Sequence, residues 1–110
     1  LRLVDVFAAL FPCGSITGAP KRQAMRLIRA LEPEPRGVYC GALGIVRPGL
    51  VPGRIHATFN VPIRTVVQHA GGLRCGIGSG ITASATADGE WMEWQHKQVF
   101  AQSLARGEIA

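Results

Sequence analysis

Glu90, Glu93 and Lys97 are the residues whose types and spacing best suit chemistry. They stand at relative positions 0, 3 and 7, and residues so spaced share one face of a helix. Two carboxylates and an ammonium on one face suit a small anion held through a divalent metal. Mg2+ takes one or two protein carboxylates and completes its shell with water and ligand oxygens. Just upstream lies Gly76 Ile77 Gly78 Ser79 Gly80 Ile81, whose glycines let backbone N–H groups approach an anionic oxygen. A plainer reading stands beside this one. Acid–base pairs at helical spacing are usually solvated and contribute only ~0.2–0.5 kcal/mol each. The same face continues through apolar Phe100 and Leu104, which predicts that it points inward, where charges need partners or a metal.

The elements that must position this face follow from periodicity and turn residues. Leu3, Val6, Phe7 and Leu10 predict an amphipathic helix over residues 2–10, stopped by Pro12 and Gly14. Thr17 suits an N-cap, and Pro20 the first turn, of a second helix running to Leu31. That helix turns Ala24, Leu27, Ile28 and Leu31 inward and Arg22, Arg26 and Arg29 outward. Glu32 to Gly37 ends it in a stiff Pro-containing turn. Strands are expected at Val38–Val46, Ile55–Gln68 and Leu73–Ile81, with a hairpin-like loop over Arg47–Arg54 and a turn at Ala70–Gly72. Pro62 requires an edge or a bulge in the second strand. Ala87 to Arg106 is the final helix, with Asp88 near its N-terminus. Helix, helix, three antiparallel strands and helix make an α+β arrangement.

Composition narrows the function classes. The 110 residues, 47% hydrophobic and 17% charged, suit one folded domain. No apolar run is long enough to span a bilayer and no leader pattern is visible, so no membrane role is expected. The chain begins at Leu1 rather than Met, which leaves room for an upstream part. Cys13, Cys40 and Cys75 lack paired spacing and fit reduced cytoplasmic thiols. A net charge of +5 raises nucleic-acid binding. The basic residues are scattered, however, and their one cluster, Lys21 to Arg29, has few aromatics for base stacking. No nucleic-acid partner is therefore expected, and the charge suits an acidic small molecule or an acidic partner surface.

The other candidates each have two readings. Gly14 to Lys21 is an anion-binding loop or a plain capping loop, and its spacing is not that of a Walker A loop. Arg64, in mid-strand, either faces solvent or holds a carboxylate bidentately. Tyr39 is a core residue or a hydroxyl donor to a ligand. His56, His69 and His96 show no ligand spacing and are expected at the surface.

Together these pieces resemble one family. Phe11 Pro12 Cys13 Gly14 Ser15 Ile16 Thr17 Gly18 Ala19 Pro20 Lys21 resembles the signature of the chorismate-utilising enzymes: anthranilate synthase component I, aminodeoxychorismate synthase component I, and the isochorismate and salicylate synthases. The resemblance continues in order through Arg36–Gly44, Phe59–Thr65, Gly76–Ser84 and Glu90, Glu93, Lys97. Phe59 to Thr65 and Glu90 to Trp94 resemble most the aminodeoxychorismate synthase branch. The resemblance implies that Glu93 is a direct Mg2+ ligand and Glu90 a second, water-mediated one. It implies that Lys97 contacts a substrate carboxylate, that Arg64 and Tyr39 hold the pyruvyl carboxylate of chorismate, and that Gly78, Ser79 and Gly80 offer backbone N–H groups. Thr17 would line the ring site. Chorismate is a dianion, and these donors are what its carboxylates require.

The sequence departs from that family at Cys13, where a small residue is usual, and at Ala85–Asp88, where an acidic, Pro-containing stretch is usual. Family members are several times longer, and their other Mg2+ carboxylate, their catalytic histidine and their lysine-bearing motif lie upstream. Residues 1–110 are therefore expected to be the C-terminal portion of a chorismate-binding domain, part of an α/β sandwich, and inactive alone. The intact protein is expected in the cytoplasm, taking ammonia from a glutamine amidotransferase and converting chorismate to 4-amino-4-deoxychorismate for p-aminobenzoate and folate. Anthranilate synthesis, and a non-catalytic binding module, are the alternatives. Exposed apolar surface and self-association are expected of the chain by itself.

Overall fold

A computed structural model describes residues 2–107. They form α-helices and antiparallel two-stranded sheets, an α+β chain, in two compact units divided in sequence between Arg36 and Gly37.

The first unit contains α1 (Leu3–Leu10), α2 (Gly14–Thr17) and α3 (Lys21–Leu31). The backbone N–H of Arg2 bonds the Asp5 carboxylate at 3.1 Å, and the Arg2 guanidinium reaches the same group at 2.8 Å. Residues 13–18 differ from the expected capping loop. Thr17 is the last residue of α2 rather than the N-cap of α3, which is Pro20. The Thr17 hydroxyl donates back to the Cys13 carbonyl at 3.1 Å, the local bond that threonine offers in place of capping. Gly18, at φ 105°, then turns the chain in a conformation that glycine adopts freely. Along α3, Ala24 and Ile28 are half-buried while Leu27 and Leu31 are exposed. Beyond its end, Arg36 grips Glu32 with two guanidinium nitrogens, Nε to Oε2 at 2.8 Å and Nη2 to Oε1 at 2.5 Å. That hydrogen bonding holds the Glu32 carboxyl below its ordinary range, against the smaller opposing effect of partial burial.

The second unit opens on a turn over Gly37–Gly41. β1 (Leu43–Pro48) pairs with β2 (Ile55–Asn60), from Leu43 opposite Asn60 to Pro48 opposite Ile55. β3 (Val66–His69) pairs with β4 (Gly72–Cys75), and α4 (Ala87–Ala105) follows. Thr86 caps α4, its hydroxyl accepting from the Gly89 N–H at 3.2 Å, so Asp88 lies in the first turn, where its charge suits the helix dipole.

Three expected strands become four shorter ones. The first begins only at Leu43, because Cys40 takes a left-handed φ of 62° and its N–H bonds the Pro62 carbonyl at 3.0 Å. The second stops at Asn60, before Pro62, which has no N–H for a ladder. Arg64, at φ 51°, then bends the chain, so it is not a mid-strand residue. The third pairs only as far as Cys75, leaving Gly76–Ile81 unpaired.

Pro62 is the one buried residue among those described. Among the described residues no large hydrophobic side chain is buried, and Leu31 (79%), Leu50 (107%) and Ile81 (71%) stand open to solvent. Phe100 is also exposed and Leu104 half-buried, so the charged face of α4 does not run into a core as expected. Among the described residues no single helix is long and apolar enough to cross a membrane.

Candidate functional site

The glycine-rich segment Gly76–Gly80 leaves β4 and lies along α4. Three side-chain bonds join the two. Lys97 Nζ donates to the Gly78 carbonyl at 2.8 Å, the Ser79 hydroxyl donates to Glu90 Oε2, and the Trp94 indole N–H donates to Ser79 Oγ at 2.7 Å. Within α4, Lys97 Nζ also meets Glu93 Oε1 at 2.5 Å. Glu90, Glu93, Trp94 and Lys97 thus form one helix face, as the spacing predicts.

Tyr39 also lies against this segment. A Cβ placed on Gly76 would fall on the Tyr39 ring, 2.7 and 2.8 Å from Cδ2 and Cδ1, and one on Gly78 would lie 2.7 Å from the Tyr39 hydroxyl oxygen. Gly76 and Gly78 therefore leave room for Tyr39, whose ring face near Cγ lies against Gly76 and whose hydroxyl reaches Gly78. Tyr39, Gly78, Ser79, Gly80, Glu90, Glu93 and Lys97 all lie in the second unit, and most of them in one small neighbourhood.

Thr17 and Arg64 are the other two candidates. Thr17 belongs to the first unit, and its hydroxyl is committed to Cys13. Arg64 is exposed at its left-handed bend and makes no ion pair with a described residue. His56, His69 and His96 are all exposed.

Trp94 was not singled out by sequence reasoning, although it sits four residues after Glu90 and three before Lys97 on the same face. Aromatic residues at helical spacing usually mean packing, and nothing in the spacing says that an indole N–H finds a serine. The Trp91 and Trp94 rings meet edge-on at 6.2 Å, and with Ile81, Ala85, Thr86, Ala87 and Glu90 they line a largely apolar depression of about 350 Å3.

Among the described residues no group of three or more His, Cys, Asp and Glu side chains could hold a metal. Glu90 and Glu93, one helical turn apart, offer two carboxylates. That is the number of carboxylates Mg2+ commonly takes from protein, the rest of its shell being water and substrate oxygen. The residues present fit such an ion. Glu93 would exchange its bond to Lys97 for the cation, and Glu90 keeps Oε1 outside its bond to Ser79.

The family of chorismate binding enzymes matches residues 1–103. A 2-amino-4-deoxychorismate synthase of Streptomyces globisporus is 38% identical over 104 residues, covering 94% of this chain and 20% of that protein. Aminodeoxychorismate synthase component 1 of Salmonella typhimurium is 40% identical over 93 residues, 84% of this chain and 19% of that protein. Anthranilate synthase component 1 of Streptomyces coelicolor is 38% identical over 109 residues, 97% of this chain and 20% of that protein. The chain spans about a fifth of the length of the curated relatives it matches.

Proposed function

Because the chain belongs to the family of chorismate binding enzymes, we propose that it supplies a chorismate- and Mg2+-binding part of an aminodeoxychorismate synthase component 1. The observation that carries this reading is the bond from Lys97 to the Gly78 carbonyl, which brings the charged face of α4 to the glycine-rich segment. Around that bond stand two carboxylates, one ammonium, the Tyr39 hydroxyl and the backbone donors of Gly78, Ser79 and Gly80. A dianion with a metal counter-charge is what such a set recognises.

In the proposed reaction, ammonia replaces the 4-hydroxyl of chorismate. A carbon–nitrogen bond forms, a carbon–oxygen bond breaks, and the hydroxyl leaves as water. Mg2+, when bound, supplies positive charge against a substrate carboxylate. With Glu93 on the cation, the Lys97 ammonium would be available for a substrate carboxylate. Gly78, Ser79 and Gly80 offer backbone N–H groups to the same anion, and Tyr39 offers its hydroxyl. Arg64 is free to reach a pyruvyl carboxylate. The ammonia would come from a glutamine amidotransferase, in the cytoplasm, on the way to p-aminobenzoate and folate.

Relatives named anthranilate synthase match as well as those named aminodeoxychorismate synthase, at 37–40% identity. Amination toward anthranilate is therefore the second reading. Phe59–Thr65 and Glu90–Trp94 favour the first.

Calorimetric titration of chorismate, with and without Mg2+, tests the site. Mg2+-dependent binding is expected in the wild type, with at least a ~10-fold loss in Glu93→Ala. Binding indifferent to Mg2+, or none in a folded sample, overturns the reading. Turnover by the chain alone is expected to be absent, and product formed from chorismate, ammonia and Mg2+ would refute that.

The open apolar residues Leu31, Leu50 and Ile81 support self-association of the chain at micromolar concentration. Sedimentation velocity is expected to show mass rising with concentration. A monodisperse monomer would count against it.

A further inference from the structure

We propose that Trp94 is a positioning residue, whose indole N–H sets the direction of the Ser79 hydroxyl and, through it, the orientation of the Glu90 carboxylate. The metal consequence rests on the reading of Glu90 given above, but the relay itself does not.

An indole nitrogen donates and cannot accept, an ionised carboxylate accepts and cannot donate, and a serine hydroxyl has one proton. Ser79 Oγ lies 2.7 Å from Trp94 Nε1 and within hydrogen-bonding reach of Glu90 Oε2. Only one polarity satisfies both contacts: Trp94 donates to Ser79, and Ser79 donates to Glu90. The hydroxyl rotor is thereby fixed, Glu90 Oε2 is occupied, and Oε1 is left outside the relay. All three residues are half-buried, which limits competition from water. Hydrogen-bonded partners behind a ligating carboxylate commonly set its orientation, and losing them weakens metal affinity ~10–100-fold.

Trp94→Phe keeps an aromatic ring beside Trp91 and removes only the donor. Ser79→Ala cuts the same relay from its middle. Each variant is expected to bind Mg2+ about 10-fold more weakly by calorimetry, and the double variant no more weakly than either, because both cut one path. Unchanged affinity in Trp94→Phe, or losses that multiply in the double variant, would overturn the proposal. Two metal-free readouts keep the relay separate from the metal. Ser79→Ala is expected to move the Trp94 indole N–H resonance and not that of Trp91, and Trp94→Phe to move the Glu90 carboxylate carbon resonance. A Glu90 resonance that stays in place overturns the relay. Absence of Mg2+ binding in the wild type, with the Glu90 resonance moving as expected, supports the relay and overturns the metal reading instead.

Discussion

Replacing Gly76 by alanine is expected to weaken chorismate binding by about 10- to 100-fold while α4 still forms. The added methyl would fall on the Tyr39 ring near its root, at Cγ, Cδ1 and Cδ2. A ring struck there cannot yield by a small tilt, so it must swing to another rotamer and leave Gly78. The Tyr39 hydroxyl then leaves the anion it is proposed to meet. A hydrogen bond to a charged group is worth about 1.5–3 kcal/mol, and each 1.4 kcal/mol is tenfold in affinity. Forcing a methyl into a filled space also costs about 1–3 kcal/mol of stability. Gly78→Ala is expected to be milder, because its methyl would meet the ring only at the hydroxyl, the end that moves most easily. Gly71→Ala, with nothing within 4 Å of the new carbon, is the control. Calorimetry with chorismate, and the Tyr39 ring resonances, read the series. Wild-type affinity in Gly76→Ala would remove Tyr39 from the site.

The charged face of α4 was legible because helical spacing is a backbone property. Once Ala87–Ala105 is a helix, Glu93 and Lys97 must lie side by side, and they do. The loop expected over Arg47–Arg54 was legible in part for a similar reason, although it starts only at Gly49, because Arg47 and Pro48 still pair with His56 and Ile55. Pro48, Gly49, Pro52 and Gly53 admit few alternatives, and the Gly49 N–H closes on the Arg54 carbonyl at 2.8 Å. The breaks at Cys40 and Arg64 were not legible. A left-handed φ in a non-glycine residue is a local cost that other contacts must outweigh, such as the bond from the Cys40 N–H to Pro62. Those contacts are distant in sequence, so uninterrupted strands were the natural expectation. Ser79 shows the same limit within the site. Its backbone N–H was foreseen as a donor, but its hydroxyl is engaged by partners 11 and 15 residues away.

Gly44→Ala is expected to have the largest effect on stability, lowering the thermal midpoint by about 10 °C. At ~4–8 °C per kcal/mol for a domain of this size, that corresponds to a loss within the usual range for overpacking. Gly44 pairs with Phe59 across β1 and β2. A methyl there would strike the Thr58 carbonyl and the Phe59 ring together. The ring can turn away, but the carbonyl belongs to the partner strand's backbone and can retreat only if the strands part. Glycine in a strand interior often marks such a close approach. The ladder should open first around the Gly44–Phe59 pair, so β1 and β2 amides should lose hydrogen-exchange protection while β3 and β4 keep theirs. Adding Phe59→Ala separates the two collisions. Relief of the ring alone is expected to leave most of the loss in place. Full recovery in the double variant would mean that the ring, not the carbonyl, sets the limit, and that β1 and β2 can accept a side chain at this position.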